Sequence, residues 1–240
     1  MNNLSDLPDL SHPSTLAAPS GLSGPNVSGD LYLDVADFAH TTPHWFRWLA
    51  EVWTEAGLLL FGVLFLVGWW RARAGRSDAM ALALLAPLAT AFGYVVSEVL
   101  KSLVDEERPC RAVAGAPTPL VPCPPIGDWS FPSNHAAIAG AAAVALALSW
   151  RGIVWLTAPM ALLMAFSRVF VGVHYPHDVT VGLLLGAAVA LLVVKAVTRP
   201  VGALVETARS SRNGAVVWCA GRGPRPRASA RPEGVRHGTY

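Results

Sequence analysis

Apolar residues run in long stretches through the middle of this chain, and most charged residues fall between them. A helix needs about 20 apolar residues to cross the hydrocarbon of a bilayer. Five stretches reach or approach that length, at roughly 50–70, 79–100, 134–150, 153–172 and 179–198. Several are hydrophobic all round rather than striped, which separates them from the helices of a soluble α-bundle. The pattern predicts an all-α fold, an integral-membrane helical bundle of about five transmembrane helices with disordered termini. It divides the chain into an extracytoplasmic, largely disordered segment 1–44, a membrane-embedded domain 45–198 and a basic cytoplasmic tail 199–240. Small residues crowd the spans, as in "HAAIAGAAAVALALSW", and allow helices to approach closely in lipid.

Charge placement gives the bundle two distinct sides. The net charge of +2 is uninformative, but residues 1–46 contain Asp6, Asp9, Asp30, Asp34 and Asp37 and no lysine or arginine. From Arg199 onward, eight arginines face only Glu206 and Glu233. The link "RARAGRSD" carries Arg71, Arg73 and Arg76, so the positive-inside rule makes it cytoplasmic and the acidic N-terminus external. Counting onward, 101–133 and 173–178 are external, whereas Arg151-Gly152 and the tail are internal. Trp45, Trp53, Trp69 and Trp70 flank the first span as interfacial tryptophans do. Residues 1–29 lack the pattern of a cleavable signal peptide and read as disordered. "LYLDVADFAH" reads as a short helix on the membrane surface. The basic tail reads as a solvated segment drawn to anionic lipid headgroups, with no nucleic-acid partner.

With these sides assigned, Lys101, Arg108, Ser133, His135, Arg168, His174 and Asp178 all fall at the outer ends of their helices. Each alone has an ordinary reading: a snorkelling lysine, a capping serine, polar residues decorating a helix end. Together they place cations, imidazoles and a carboxylate at one membrane face, where hydrocarbon burial is costly and function is the default expectation. Lys101 and Arg108, about 10 Å apart if their helix persists, could bracket a tetrahedral anion. Glu98, one turn before Lys101, is a candidate partner for it. Ser133 reads as an N-cap whose helix turns free amides and a positive dipole end outward, a setting that binds phosphate. Arg168 and His174 can face a common ligand only if the helix ends between them, and Gly172 offers the place. Pro176 suits the first turn of the next helix, and Asp178 then comes within reach of His174, where it would fix one imidazole tautomer.

"KSLVDEERP", "PSNH" and "SRVFVGVHYPHD" resemble, in order, the three signature motifs of the type 2 phosphatidic acid phosphatase family. The resemblance covers about residues 50–198 and looks most like the bacterial undecaprenyl diphosphate phosphatases of that family. It implies that His174 is the nucleophile and forms a phosphohistidine, that Asp178 supports it, and that His135 is the general acid and base. It implies that Lys101, Arg108 and Arg168, with Ser133 and the amides after it, hold the phosphate oxygens. His177 becomes a spacer, and "DEE" at 105–107 a solvated loop. Asn134 stands where the family commonly has glycine, which adds a side chain at the pocket rim. No cofactor and no metal are expected, because three fixed cations take the place of one, and histidines and cysteines show no metal-ligand spacing.

The implied function is that of a lipid phosphatase acting at the extracytoplasmic face, a polyprenyl diphosphate being the leading substrate. A phosphatidate or phosphatidylglycerophosphate phosphatase and a lipid phosphotransferase are alternatives within the same chemistry. A non-catalytic lipid-binding or transport protein is the alternative outside it. The implied partners are a lipid phosphate or diphosphate and the membrane lipids, and the oligomeric state is left open. Cys110 and Cys123 share the external loop, where oxidation is permitted, and are candidates for a disulfide that the sequence leaves open.

Overall fold

A computed structural model of the chain describes residues 27–224. Its helices are α1 (Val27–Thr41), α2 (His44–Ala72), α3 (Ser77–Lys101), α4 (Pro109–Ala112), α5 (Asn134–Ser149), α6 (Val154–Phe170), α7 (Pro176–Arg209) and α8 (Gly214–Ala220). A 3-10 turn, Arg151–Ile153, leads into α6, and no strand occurs among the described residues. The chain is an all-α membrane bundle. α2, α3, α7 and α6 with its leading turn are long and apolar enough to span a bilayer. The fifth expected span differs: α5 has 16 residues, a rise of about 24 Å. Its position explains its length. Ala136, Ala137, Ala139, Ala141 and Ala142 of α5 are all at 0% exposure, enclosed by α3, α6 and α7. A helix surrounded by protein escapes the mismatch cost that lipid imposes on its neighbours.

Glycine and alanine set the central packing. A Cβ on Gly186 of α7 would overlap the Ala137 carbonyl, and one on Gly140 of α5 would overlap that of Leu183. The two backbones therefore touch, the close approach that small residues permit in lipid. This contact holds the N-terminal ends of α5 and α7 side by side. Leu59, Leu66, Leu88, Leu162, Leu184 and Leu192 are exposed around the outside, as a lipid-facing surface requires. At one end of the bundle lie Arg71, Arg73, Arg76, Arg151 and Arg209, with Arg71 and Arg73 over tryptophan rings. The motif residues lie at the other.

The two ends of the described segment, 27–44 and 199–224, are more ordered than the sequence suggested. The short helix expected over 31–40 is present as α1, which begins earlier, at Val27, and docks on α6 and α7 with Tyr32, Ala36 and Ala39 buried. Tyr32 supplies the reason: its ring meets Tyr175 edge-on and its hydroxyl donates to the Gly172 carbonyl at 3.1 Å. α7 continues past 198 because Val201 and Val205 extend its apolar face onto Met80 and Ala83. In α8, Trp218 packs beside Trp69. The expected disorder of residues 1–26 and 225–240 lies outside the described residues. Between α3 and α5 the long loop folds over the start of α7, with Leu120 N–H donating to the Val171 carbonyl at 3.0 Å. A Cys110–Cys123 disulfide, Cα–Cα 6.2 Å, ties this loop.

Gly186→Ala is expected to lower the thermal midpoint in detergent by an amount equivalent to about 1–3 kcal/mol of overpacking. Gly62→Ala, with nothing within 4 Å of the added methyl, is expected to cause no loss. Equal midpoints for the two variants would contradict the α5–α7 contact. The disulfide is expected to contribute about 3 kcal/mol in the chain-entropy account, and alkylation of both thiols in unreduced membranes would show it to be absent.

Candidate active site

The turn from α6 into α7 builds the centre. α6 ends at Phe170, and Gly172 takes φ +87°, a conformation that favours glycine. A side chain there would also meet Pro119, 3.0 Å from the position of its Cβ. Tyr175 is the N-cap of α7, Pro176 opens its first turn, and Asp178 follows at the third position. The Asp178 carboxylate turns back to accept the Tyr175 amide at 2.8 Å. The same oxygen, Oδ2, accepts the Ser130 hydroxyl at 2.5 Å and lies 3.3 Å from His174 Nδ1. A carboxylate can only accept here, which puts the imidazole proton on Nδ1 and the lone pair on Nε2. Arg108 Nη1 faces that lone pair at 3.1 Å.

Three buried cations come to the site from separate segments. Lys101, Arg108 and Arg168 are 5%, 3% and 6% exposed, and His174 and Asp178 are 1% and 0%. The expected separation of Lys101 and Arg108 along a continuing helix is corrected. α3 stops at Lys101, residues 102–107 fold back, and both cations converge on one oxygen. Lys101 Nζ lies 3.1 Å and Arg108 Nη2 2.8 Å from Asp128 Oδ1. Arg108 also donates from Nε to the Asp128 carbonyl at 2.7 Å and from Nη1 to the Val173 carbonyl at 3.0 Å. Glu98 does not pair with Lys101. It accepts from Asn134 Nδ2, while Asn134 Oδ1 accepts from Ser97 at 2.7 Å. The Asn134 side chain is thereby held against α3.

Arg168 donates from Nη1 to Thr54 at 2.8 Å, and its Nε has no partner among the described residues. Glu55 Oε1 lies 3.7 Å from Arg168 and 3.9 Å from His135, which stands in the first turn of α5. Ser133 holds the N-cap position, but its hydroxyl makes no capping bond. The reason is its amide, which donates to the Asp178 carbonyl at 3.1 Å and turns the residue toward α7. Its hydroxyl is buried and unpaired among the described residues. An unpaired buried hydroxyl, an unpaired guanidinium N–H and a helix N-terminus form a donor-rich setting for an anion.

Two further residues of the centre were not legible as such in the sequence. Ser130 lies four positions before Asn134 in "DWSFPSNH", and its backbone is pinned by donation to the Glu106 carbonyl at 2.7 Å. His177, read as a spacer, stacks on Tyr175 with ring centroids 5.3 Å apart and shares a hydrogen bond with Ser28 at 2.6 Å. Its Nε2 meets Glu106 at 3.0 and 3.2 Å. Glu106 is therefore paired, as is Glu107 with Arg111, and the solvated reading of 105–107 is corrected for both. Asp178 Oδ1 lies 3.1 Å from His177 Nε2 without hydrogen-bonding geometry. Glu106, His177 and Asp178 bring ligand atoms within 4.8 Å of one another, enough to hold a cation. Here the ring nitrogen is already engaged by the Glu106 carboxylate.

Burial pushes His174 down to about 4, against the opposing pull of Asp178 and with added repulsion from Arg108 and Arg168. Burial alone would raise Asp128, but Arg108 and Lys101 outweigh it and hold the carboxyl below its usual range.

Residues 82–201, half of the chain, match the PAP2 superfamily. An undecaprenyl-diphosphatase of Sulfolobus acidocaldarius is 40% identical over 102 residues, which are 42% of this chain and 48% of that protein. The match therefore spans about half that relative's length. The undecaprenyl-diphosphatase BcrC of Bacillus subtilis is 30% identical over 59% of this chain and 67% of its own. The fold is shared with a transmembrane PAP2-type phosphatidylglycerolphosphate phosphatase of Bacillus subtilis. That crystal structure superposes with a TM-score of 0.54 at 22% identity, covering 73% of this chain and 88% of that one.

The imidazole of His174 is expected to titrate near 4 rather than 6.5 in the ligand-free protein. Because the unfolded chain takes up this proton first, the buried neutral ring favours the native state fully above 6.5. That contribution is lost as pH falls through 4. Nitrogen-15 NMR of labelled histidines, with His174→Gln for assignment, reads the midpoint. A value at or above 6.5 would contradict a buried neutral ring.

Proposed function

The chain belongs to the PAP2 superfamily, and from that premise we propose that it is an integral-membrane lipid phosphatase working through a phosphohistidine. The observation that carries this reading is the buried His174–Asp178 pair, with Arg108 at the ring lone pair and Lys101 and Arg168 as further buried cations. A neutral imidazole with Nδ1 held by a carboxylate has its nucleophilic lone pair fixed on Nε2. His174 Nε2 attacks phosphorus, the bond from phosphorus to the leaving oxygen breaks, and His135 gives its proton to that oxygen. Asp178 steadies the positive ring that results. His135 then takes a proton from water, the water oxygen bonds to phosphorus, and the phosphorus–nitrogen bond breaks. Lys101, Arg108 and Arg168 neutralise charge on the equatorial oxygens throughout, with Ser133 and the first amides of α5 as neutral donors. Three fixed cations make this chemistry independent of a metal ion.

The substrate is a polyprenyl diphosphate, cleaved to the monophosphate. Two relatives named as undecaprenyl-diphosphatases support this. The reaction takes place at the extracytoplasmic face, because the opposite end of the bundle carries Arg71, Arg73, Arg76, Arg151 and Arg209, the signature of a cytoplasmic side. The C-terminus is then cytoplasmic.

Purified protein in detergent is expected to release phosphate from undecaprenyl diphosphate faster than from phosphatidate, and to do so with chelator present. His174→Ala is expected to lower release at least about 10³-fold, the scale of a lost nucleophile. Release that survives the substitution would remove His174 from its role. Failure with every lipid phosphate would leave a binding protein.

A further inference from the structure

Two of the three cations of the site are already held by an anion of the chain. Asp128 Oδ1 bridges Lys101 Nζ at 3.1 Å and Arg108 Nη2 at 2.8 Å. The cations lie deep, with side chains 7% and 3% exposed, whereas the Asp128 side chain is 44% exposed. The main chain of the same turn is fastened independently. Asp128 N–H donates to the Pro125 carbonyl at 3.1 Å, Ser130 N–H to the Glu106 carbonyl at 2.7 Å, and the Asp128 carbonyl accepts Arg108 Nε at 2.7 Å. The carboxylate can therefore leave by rotation of one side chain while the turn and the guanidinium stay in place. Room for that rotation lies alongside, in a cleft of about 290 Å³ lined by Glu98, Lys101, Ser102, Gly127, Asp128 and Trp129.

We propose that Asp128 is an internal competitor for the phosphate site, occupying Lys101 and Arg108 until a phosphoryl group displaces it. The proposal rests on the reading that these cations bind the phosphoryl group. A carboxylate offers one negative charge and two oxygens, so a dianionic phosphate with three oxygens displaces it, whereas a singly charged phosphodiester headgroup competes on nearly equal terms. Asp128 thus acts as a filter: it lowers occupancy by the abundant phosphodiester lipids of the membrane and admits terminal phosphates. It also has a structural consequence. Two buried cations without their anion repel one another, so removing Asp128 weakens the ligand-free protein while strengthening its hold on phosphate.

The test uses the full chain in detergent, inorganic phosphate as the probe, and calorimetric titration of wild type, Asp128→Asn and Asp128→Ala. Asparagine keeps the volume and covers the case in which alanine does not fold. Both variants are expected to bind phosphate roughly tenfold more tightly, the scale of one displaced charged hydrogen bond. Their thermal midpoints are expected to fall without phosphate and to recover with it. A phosphodiester lipid in the micelles is expected to inhibit the variants more than wild type. Unchanged or weaker phosphate binding by folded variants, with wild type hydrolysing lipid phosphate, overturns the competitor and leaves the phosphatase reading standing. Neither phosphate binding nor hydrolysis by wild type overturns both.

Discussion

A charge buried in a membrane bundle must be met by an opposite charge or by well-aimed dipoles, since the cost of leaving it bare is several kcal/mol per ion. The end of this bundle that holds the site answers to that constraint. Lys101, Arg108 and Arg168 are almost fully withdrawn from solvent, and each finds part of its compensation nearby. Asp128 serves Lys101 and Arg108, while Thr54 and the more distant Glu55 serve Arg168. Such cations are costly to keep for stability alone, because an apolar residue would fill the space more cheaply. On the proposed function, their clustering near one neutral imidazole gives them a purpose as a standing field for an incoming anion. The same field helps to keep His174 unprotonated, with Arg108 standing at its lone pair.

That field is useful only if its parts are fixed relative to one another, and the fixing is done by small residues. Gly140, Gly182 and Gly186 let α5 and α7 meet backbone to backbone. The contact is tight enough for the Ser133 amide to reach the Asp178 carbonyl. Ser133 and His135 thus ride on one helix and Asp178 on the other, with no flexible segment between them. The α6–α7 turn adds His174, and α1 braces that turn from outside through Tyr32. A site on rigid helix ends loses little to reorganisation as charge develops.

Much of this was legible in the sequence, and the gaps have physical causes. Long apolar runs locate the spans because hydrocarbon imposes a length. They show α5 to be short, at 134–150, but not why: a helix among helices is free of that length. Glycine at 172 and proline at 176 announce the break that brings Arg168 and His174 together, and the break is there. The partners of Lys101 and Arg108 were not legible, because Asp128 reaches them across a loop whose path no periodicity encodes. Ser130 and His177 were missed for a related reason. A serine in a loop and a histidine between two motif residues acquire meaning only when tertiary structure aims them. Ser133 shows the opposite error: its N-cap position was clear, yet tertiary contact with α7 took its amide and left its hydroxyl unpaired.

Asp178 shows how the same constraint reaches the chemistry. Its Oδ2 takes three donors, and the distances rank them: Ser130 at 2.5 Å, the Tyr175 amide at 2.8 Å and His174 at 3.3 Å. The two short bonds hold the carboxylate in place, so its orientation does not depend on the histidine. The longest contact belongs to the group whose charge changes. On the proposed mechanism the ring becomes positive as Nε2 bonds to phosphorus, and attraction from Asp178 then grows and shortens that contact. An interaction that strengthens during the reaction lowers the barrier, whereas one already complete in the ground state would not. His177 and Glu106 sit behind Oδ1 and complete the enclosure of the carboxylate. The proposed nucleophile is thus held by a carboxylate that is itself held, and the bond with room to tighten is the one that the proposed chemistry uses.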